Sequence, residues 1–555
     1  MLLYALTIFT SAFLLFLVQP ILAKQILPWF GGSAAVWTTC LVFFQFVLLL
    51  GYTYSDWTSR KLKPRTQSIL HIGLLLASLL VLPILADPSW KPQGDGDPAL
   101  KILGLLVVTI GLPYLLLSTT GPLLQAWLAR RYPTRTGIYR LFALSNLASL
   151  LALLAYPFLL EPWVSVVTQS WSWSAGYALF VALCSACALL GMRVNAPAAA
   201  QEINVDVNAA EPASTRPGLR SYVLWVSLAA LASALLLAVT NHITHDVASV
   251  PFLWLLPLTI YLLTFILCFE GRVWYRREVF LLPLLLVVAL MAWSLHEGRN
   301  LRDIKESVAL FSAGLFVCCM FLHGELANSK PPPAYLTGFY LAVSLGGTLG
   351  GIGVGLVAPR VFNSYYEFPL GLLLTLGIGL YLMRRMPKLV PAAVLATMAV
   401  TGYHIHHYVE SLSGESVHAS RSFYGTLRVQ DRGSGEAAVR RLMHGIIMHG
   451  EQYLHPTRRL EPTTYYGETS GIGRLLKSLP EEPSRVAVVG LGTGTIATYG
   501  RKGDVYRFYE LDPAVIALAR SHFSFLNDSQ ARTETVLGDA RLSMEREEPQ
   551  QYDVI

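Results

Sequence analysis

Apolar residues come in blocks of about twenty over most of the chain, then give way to a two-residue alternation near its end. A block of about 20 apolar residues is long enough to cross a hydrocarbon core. Such blocks fall near 3–23, 35–55, 67–86, 100–128, 140–160, 172–192, 221–240, 250–269, 279–296, 307–326, 335–358 and 367–384. A weaker thirteenth covers 389–405, where Pro391, Gly402, His404, His406 and His407 favour an interfacial or re-entrant helix. The block at 100–128 contains Pro113 and Pro122 and predicts one tilted or kinked helix. Met1 to Leu22 has no basic leader and no small-residue cleavage site, so it predicts a first span rather than a removed signal.

The polar stretch 193–220 separates the spans into two groups of six, giving a first membrane half at 1–192, a linker, and a second half at 221–405. Six, linker, six resembles the plan of major-facilitator transporters. Basic residues set the orientation. Arg60, Lys61, Lys63 and Arg65 follow span two; Arg130, Arg131 and Arg135 follow span four; Arg272, Arg276 and Arg277 follow span eight; Arg384, Arg385 and Lys388 follow span twelve. The alternate loops are poorer in basic residues, apart from Arg299, Arg302 and Lys305, so the N-terminus and the end of span twelve are expected in the cytoplasm. Within the spans, Gln19, Lys24, Gln45 and Asn146 are expected to face the bundle interior. The overlapping G-x-x-x-G pairs at Gly346, Gly347, Gly350, Gly351 and Gly355 predict close helix packing. His242, His245 and Asp246 are read as an interfacial cluster at the outer end of span seven.

Composition sharpens the division. The chain has 555 residues, 54% hydrophobic and 14% charged, with a mean hydropathy of +0.48. That excludes a purely soluble globular protein, a disordered chain and a charged nucleic-acid-binding module. Residues 411–555 carry nearly half of the charged residues in about a quarter of the length, and they are close to neutral. The membrane part therefore holds all the positive excess behind the chain's net charge of +7, which reports topology rather than nucleic-acid affinity. All six cysteines lie in apolar stretches; Cys184 and Cys187 are read as small residues on a helix face, and no metal site is expected.

In the polar region, Phe423, Gly425, Leu427 and Val429 alternate with polar neighbours, Gly433–Gly435 supplies a turn, and Arg441–Met448 returns. This predicts a small β-hairpin region at 421–466. A helix near 468–479 follows. The valine-rich strand starting at Arg485 then runs into Gly490-Leu-Gly492-Thr-Gly494 and a further helix. A second strand, Val505–Leu511, leads through Glu510 to Asp512. A third, Thr533–Leu537, leads to Gly538-Asp539-Ala540. A fourth starts at Tyr552. Glycines let the backbone turn sharply and approach a ligand closely. An acidic residue about twenty positions on can hold both ribose hydroxyls of a nucleoside.

On these motifs, residues 421–555 resemble the spermidine synthases, aminopropyltransferases that share the S-adenosylmethionine methyltransferase-type Rossmann-like fold. With Phe13-Leu-Leu-Phe-Leu-Val-Gln-Pro20 and Pro28-Trp-Phe-Gly-Gly-Ser33, the whole chain resembles bacterial membrane proteins in which a transporter-like region is fused to such a domain. The resemblance implies an α-helical membrane bundle followed by the hairpin region and, at 467–555, the N-terminal half of the Rossmann-like domain. Its implied reaction moves an aminopropyl group from decarboxylated S-adenosylmethionine to putrescine, with no prosthetic group and no nucleic-acid partner. Gly490, Gly492, Gly494, Glu510, Asp512, Asp539, Ala540 and Gln452 would hold the donor, and Tyr465 and Tyr466 the amine. Thr493 stands where soluble members have an acidic residue, and Tyr465-Tyr466-Gly467 replaces their Tyr-His-Glu. The family's catalytic aspartate would follow the fourth strand, beyond Ile555, and the stop in mid-strand favours an incomplete sequence. The expected location is the bacterial inner membrane with a cytoplasmic soluble domain. An S-adenosylmethionine-dependent methyltransferase, and a transporter with a ligand-sensing domain, are the alternatives.

Overall fold

A computed structural model describes residues 1–92, 96–131, 139–192, 217–244, 251–271, 273–297, 304–332, 335–414 and 416–555. Most of the linker, with Arg135, His245, Asp246, Arg272, Arg299 and Arg302, lies outside the described residues. The membrane helices are α1 (Leu2–Ile26), α2 (Ala34–Lys61), α3 (Pro64–Ser78), α4 (Pro98–Arg131), α5 (Tyr139–Ala155), α6 (Val166–Met192) and α7 (Leu219–Thr244). They continue with α8 (Pro251–Glu270), α9 (Arg277–Glu297), α10 (Ile304–Asn328), α11 (Leu336–Ile352), the single turn α12 (Ala358–Val361), α13 (Glu367–Met383) and α14 (Leu389–Ser413). Among the described residues, 12 helices are long and apolar enough to cross a membrane. The chain is a multi-pass membrane protein.

Some elements match the sequence expectation and others differ from it. The block at 100–128 is one uninterrupted helix through both prolines, and π-turns at Tyr156–Leu160 and Gly353–Val357 extend α5 and α11. The segment read as interfacial is a continuous 25-residue helix, α14, packed on α9 and α13. Pro391 sits in its first turn, where a missing N–H breaks no intrahelical bond.

Hydrogen bonds between helix ends sort the bundle into two faces. On one, Gln25 Nε2 donates to Ser170 Oγ, Thr38 Oγ1 to Asn241 Oδ1, and Arg360 to Asp97. On the other, Trp127 Nε1 donates to Gln67 Oε1, Thr7 Oγ1 meets Cys187 Sγ, and Trp225 Nε1 donates to the Ser329 carbonyl. Gln19 is buried and donates to Tyr114 Oη, Gln45 donates to Ser233, and Lys24 pairs with Glu161. Asn146 is half-exposed and reaches Glu270. His242 packs between the rings of Phe311 and Phe368.

The glycine stripe of α11 packs on α7. A Cβ at Gly346 would meet the Val226 carbonyl, and one at Gly350 the Ala230 carbonyl, while Gly351 and Gly355 approach Gln45 and Val42 of α2. Backbone cannot retreat as a side-chain end can. Gly350→Leu is therefore expected to destabilise the bundle by about 1–3 kcal/mol or more through overpacking. The readout is the thermal denaturation midpoint in detergent, with Gly347→Leu, where the added carbon meets open space, as the neutral control.

Beyond α14 the chain forms two sheets. The first is an antiparallel meander of β1 (Ser416–Arg421), β2 (Thr426–Arg432), β3 (Val439–His444) and β4 (Ile447–Tyr453). The expected hairpin is thus the middle of a four-stranded sheet. Its return strand is cut in two by a turn at Gly445, whose φ of +59° ends β3. After α15 (Gly471–Lys477) comes a parallel sheet of β5 (Arg485–Val489), β6 (Val505–Glu510) and β7 (Arg532–Leu537) in the order β5-β6-β7. The helices α16 (Pro513–His522), α17 (Phe525–Asp528) and α18 (Ala540–Arg546) complete it. Val554 pairs parallel with Val486 on the free side of β5, the position expected for a fourth strand. The helix expected after Gly494 is only a 3₁₀ stretch, Thr495–Tyr499, ended by Gly500. Three of its five residues, Thr495, Ile496 and Thr498, are β-branched, which disfavours a longer helix.

Candidate functional site

The strand–turn geometry around β5 and β6 builds the site. Gly490, Gly492 and Gly494 adopt φ of +91°, +57° and +84°, a region that other residues enter only with strain. No atom lies within 4 Å of where a Cβ would stand on Gly490, so the loop's backbone is open there. At the end of β6, Glu510 turns back over this loop. Its Oε2 accepts the Leu491 N–H at 2.9 Å and its Oε1 accepts the Asp512 N–H at 2.9 Å. Asp512 caps α16, with Pro513 in the first helical position. Its Oδ1 accepts the Ala514 N–H at 2.9 Å and its Oδ2 the Ser422 hydroxyl at 2.7 Å. Among the described residues neither carboxylate is in an ion pair, whereas the arginines that line the same cavity, Arg360 and Arg421, are paired with Asp97 and Glu367.

These residues line a cavity of about 820 Å³. Its roof comes from the α/β unit: Gly490, Gly492, Glu510, Leu511 and Asp512, with Tyr424, His444, His449 and Tyr466 from the flanking segments. Its floor is the bundle: Gly31, Gly32 and Ser33 between α1 and α2, Thr38 of α2, Asn241 and Thr244 of α7, and Gly355 after α11. The volume lies within the range of ordinary small-molecule sites, about 300–1,000 Å³.

Roof and floor are bolted together. The Ser33 hydroxyl donates to the Phe423 carbonyl at 3.0 Å. Gly31, with φ of +78°, lies against Leu511, leaving no room for a Cβ. The Arg421 guanidinium meets Glu367 at the start of α13 through two bonds of 2.9 Å, with both side chains almost fully buried. Arg421 also donates to the Ser364 carbonyl and lies over the Tyr365 ring.

Of the site residues expected from the sequence, Gly490, Gly492, Glu510, Asp512 and Tyr466 line the cavity. Gly494 packs instead against Phe525 and Leu526. Asp539 caps α18 by accepting the Leu542 N–H, and Ala540 is that helix's first residue. Tyr465 is exposed and packs its ring against Tyr466. Gln452 is buried away from the cavity, donating to Ser524 Oγ and the Arg459 carbonyl and accepting the Ser524 N–H. It ties β4 to the α/β unit.

Sequence reasoning missed Tyr424, His444, His449 and Asn241. The Pro28–Ser33 motif, noted only for its resemblance, turns out to form part of the floor. Burial, then the charges of Asp512, Glu510 and Asp539, push the Tyr424 phenol up to about 12, so it stays a neutral O–H donor. Burial and the neighbouring His444 hold the His449 imidazole below its ordinary value, so it is neutral near pH 7. Protonation on acidification would add positive charge to a chamber suited to cations. Affinity for a sulfonium nucleoside is therefore expected to hold near pH 7 and to fall on acidification below the ordinary imidazole range, towards about pH 5. Affinity for the uncharged methylthioadenosine should change little. Titration calorimetry across that range checks both, and His449→Gln should flatten the sulfonium profile.

No protein-family model and no curated protein matches the chain. Among solved structures it is similar to the nucleoside transporter NupG, at 12% identity over 74% of this chain and 98% of that one, with a TM-score of 0.41. It is also similar to a POT family transporter in complex with 5-aminolevulinic acid, at 12% identity over 74% and 95%, TM-score 0.41. A D-xylose-proton symporter matches at 14% identity over 67% and 96%, TM-score 0.40. Similarities this remote define neither a family nor a cargo for this chain.

Proposed function

We propose that the α/β unit binds an adenosyl nucleoside bearing a sulfur-linked side chain, and that the bundle to which it is bolted moves a small solute. The observation that carries this reading is the placement of Glu510. A carboxylate held over an open, positive-φ glycine turn and lining an 820 Å³ chamber suits the two vicinal hydroxyls of a ribose. The order β7-β6-β5 with Val554 beside β5 suits the Rossmann-like fold of nucleoside-binding enzymes. The unpaired acidic character contributed by Glu510 and Asp512 favours a cationic side chain over an anionic one.

Aminopropyl transfer is the finer reading, favoured by the antiparallel sheet that precedes the α/β unit. A neutral amine of putrescine would attack the aminopropyl carbon next to the sulfonium, the C–S bond would break, and methylthioadenosine would leave. The attacking nitrogen would shed its proton to a base. Positioning and deprotonation are the protein's share of such a reaction. No residue of the chamber is assigned that base.

Titration calorimetry on the full chain in detergent tests the binding reading. Methylthioadenosine and decarboxylated S-adenosylmethionine should both give saturable heat that is lost in Glu510→Gln. Absence of heat with these and with S-adenosylmethionine would overturn it. Incubation with putrescine then separates the chemistries: spermidine supports transfer, a methylated product supports methylation, and binding without turnover supports a sensing unit on a transporter.

A further inference from the structure

Two arrangements bear on how the chamber receives its ligand. The first is sidedness. The two sheets rest on the bundle face made by the end of α1, the starts of α2 and α4, and the ends of α7 and α11: Phe423 and Arg421 meet Ser33 and Glu367, and from the α/β unit Leu511 lies against Gly31 and Arg546 donates to the Pro92 carbonyl. The opposite face carries Arg60 and Lys61 at the end of α2, Arg276 and Arg277 at the start of α9, and Arg384 and Arg385 after α13. Lysine and arginine accumulate in cytoplasmic loops. The helix α14 then runs from the basic face to the face that bears the sheets, since His404 in its second half meets His296 at the end of α9 and β1 follows it directly.

The second is continuity. The chamber floor includes Thr38 from the first half of the bundle and Asn241 from the second, so it opens on the seam between the halves. Asn241 is 7% exposed. Its Oδ1 accepts the Thr38 hydroxyl at 2.7 Å, while its amide nitrogen donates no hydrogen bond among the described residues. That nitrogen is accessible from the cavity, so it is placed to donate to a ligand there.

We propose that the chamber lies on the extracytoplasmic face and that the bundle itself delivers its ligand, an adenosyl nucleoside that passes along the seam between the halves, is met by the Asn241 amide, and settles beneath the Gly490–Gly494 turn. This rests on the nucleoside reading above and adds a side and a route to it. A charged or zwitterionic adenosyl compound does not cross lipid unaided. One assembled from a nucleoside triphosphate originates in the cytosol, so a site on the far face needs a conduit. The Asn241 donor suits an acceptor atom such as a ring nitrogen or a ribose oxygen.

Two experiments on the full chain test it. Ser434, exposed in the turn between β2 and β3, and Lys63, exposed between α2 and α3, are each changed to cysteine; the native cysteines are all buried. A membrane-impermeant maleimide should label Ser434→Cys in intact spheroplasts and Lys63→Cys only after permeabilisation. The reverse pattern overturns the proposal. In proteoliposomes, uptake of radiolabelled methylthioadenosine should exceed that of protein-free vesicles and fall about fivefold or more in Asn241→Leu, for the loss of one hydrogen bond. Thr38→Ser, which keeps the hydroxyl, should retain uptake and so exclude a general packing effect. Binding in detergent without any uptake in vesicles overturns the route and leaves the binding reading standing. No binding at all removes both.

Discussion

Glu510→Ala should weaken adenosyl-nucleoside binding by about a hundredfold or more, and Glu510→Gln by nearly as much. A hydrogen bond to a charged acceptor is worth about 1.5–3 kcal/mol, and a ribose offers two hydroxyl donors to one carboxylate. Losing about 3 kcal/mol corresponds to roughly a hundredfold in Kd. The loss has a second source in this fold. Glu510 accepts the Leu491 and Asp512 N–H groups, so it also holds the glycine turn against the start of α16. Alanine frees both donors and lets the turn relax, whereas glutamine keeps one acceptor oxygen. The two variants should therefore separate in the melting temperature of the α/β unit more than in affinity. Calorimetry with methylthioadenosine and a denaturation scan read the two effects apart. Equal affinity of wild type and Glu510→Gln would show that this carboxylate does not touch the nucleoside.

The parts of the architecture that follow a local rule were legible in the sequence. Apolar blocks of about twenty residues placed the spans, because a helix in lipid satisfies its own backbone and needs only an apolar surface. The second half of the period-two stretch at 423–429 became the start of β2, and the glycine turn before a strand ending in Glu510, legible because only glycine accepts those φ values cheaply, lies on the cavity. Long-range packing was not legible. Nothing in the pattern near Asn241 says that α7 ends under the glycine turn of β5. Nothing near Gly31 says that it must admit Leu511. Gln452 illustrates the opposite error: resemblance suggested a ligand contact, and the structure gives its amide to Ser524 and Arg459. The position of α14 was misjudged because a first-turn proline and a polar, histidine-rich end look like interruptions. Both are ordinary features at the ends of a long helix.

Arg421→Ala should detach the extramembrane unit from the bundle at a cost of about 3–5 kcal/mol, the largest effect on stability expected from a single side chain outside the apolar core. The reason is desolvation. Arg421 and Glu367 are 4% and 6% exposed, and removing one ion leaves the other buried with nothing to balance it. The remaining glutamate would sit beneath β1, beside the chamber that Asp97, Glu510 and Asp512 line. Limited proteolysis between α14 and β1 should become several-fold faster, and methylthioadenosine binding should weaken because the floor no longer meets the roof. Removing both charges distinguishes docking from mere charge burial. Arg421→Met combined with Glu367→Leu should recover most of the stability, since an apolar pair carries no desolvation penalty, giving a coupling energy of about 2 kcal/mol or more in a double-mutant cycle. If the double variant is stable yet still loses ligand binding, the ion pair serves the register of roof on floor rather than their adhesion. Glycine at position 31 would then be the next contact to alter, because Leu511 keys into it from the same strand end that carries Glu510.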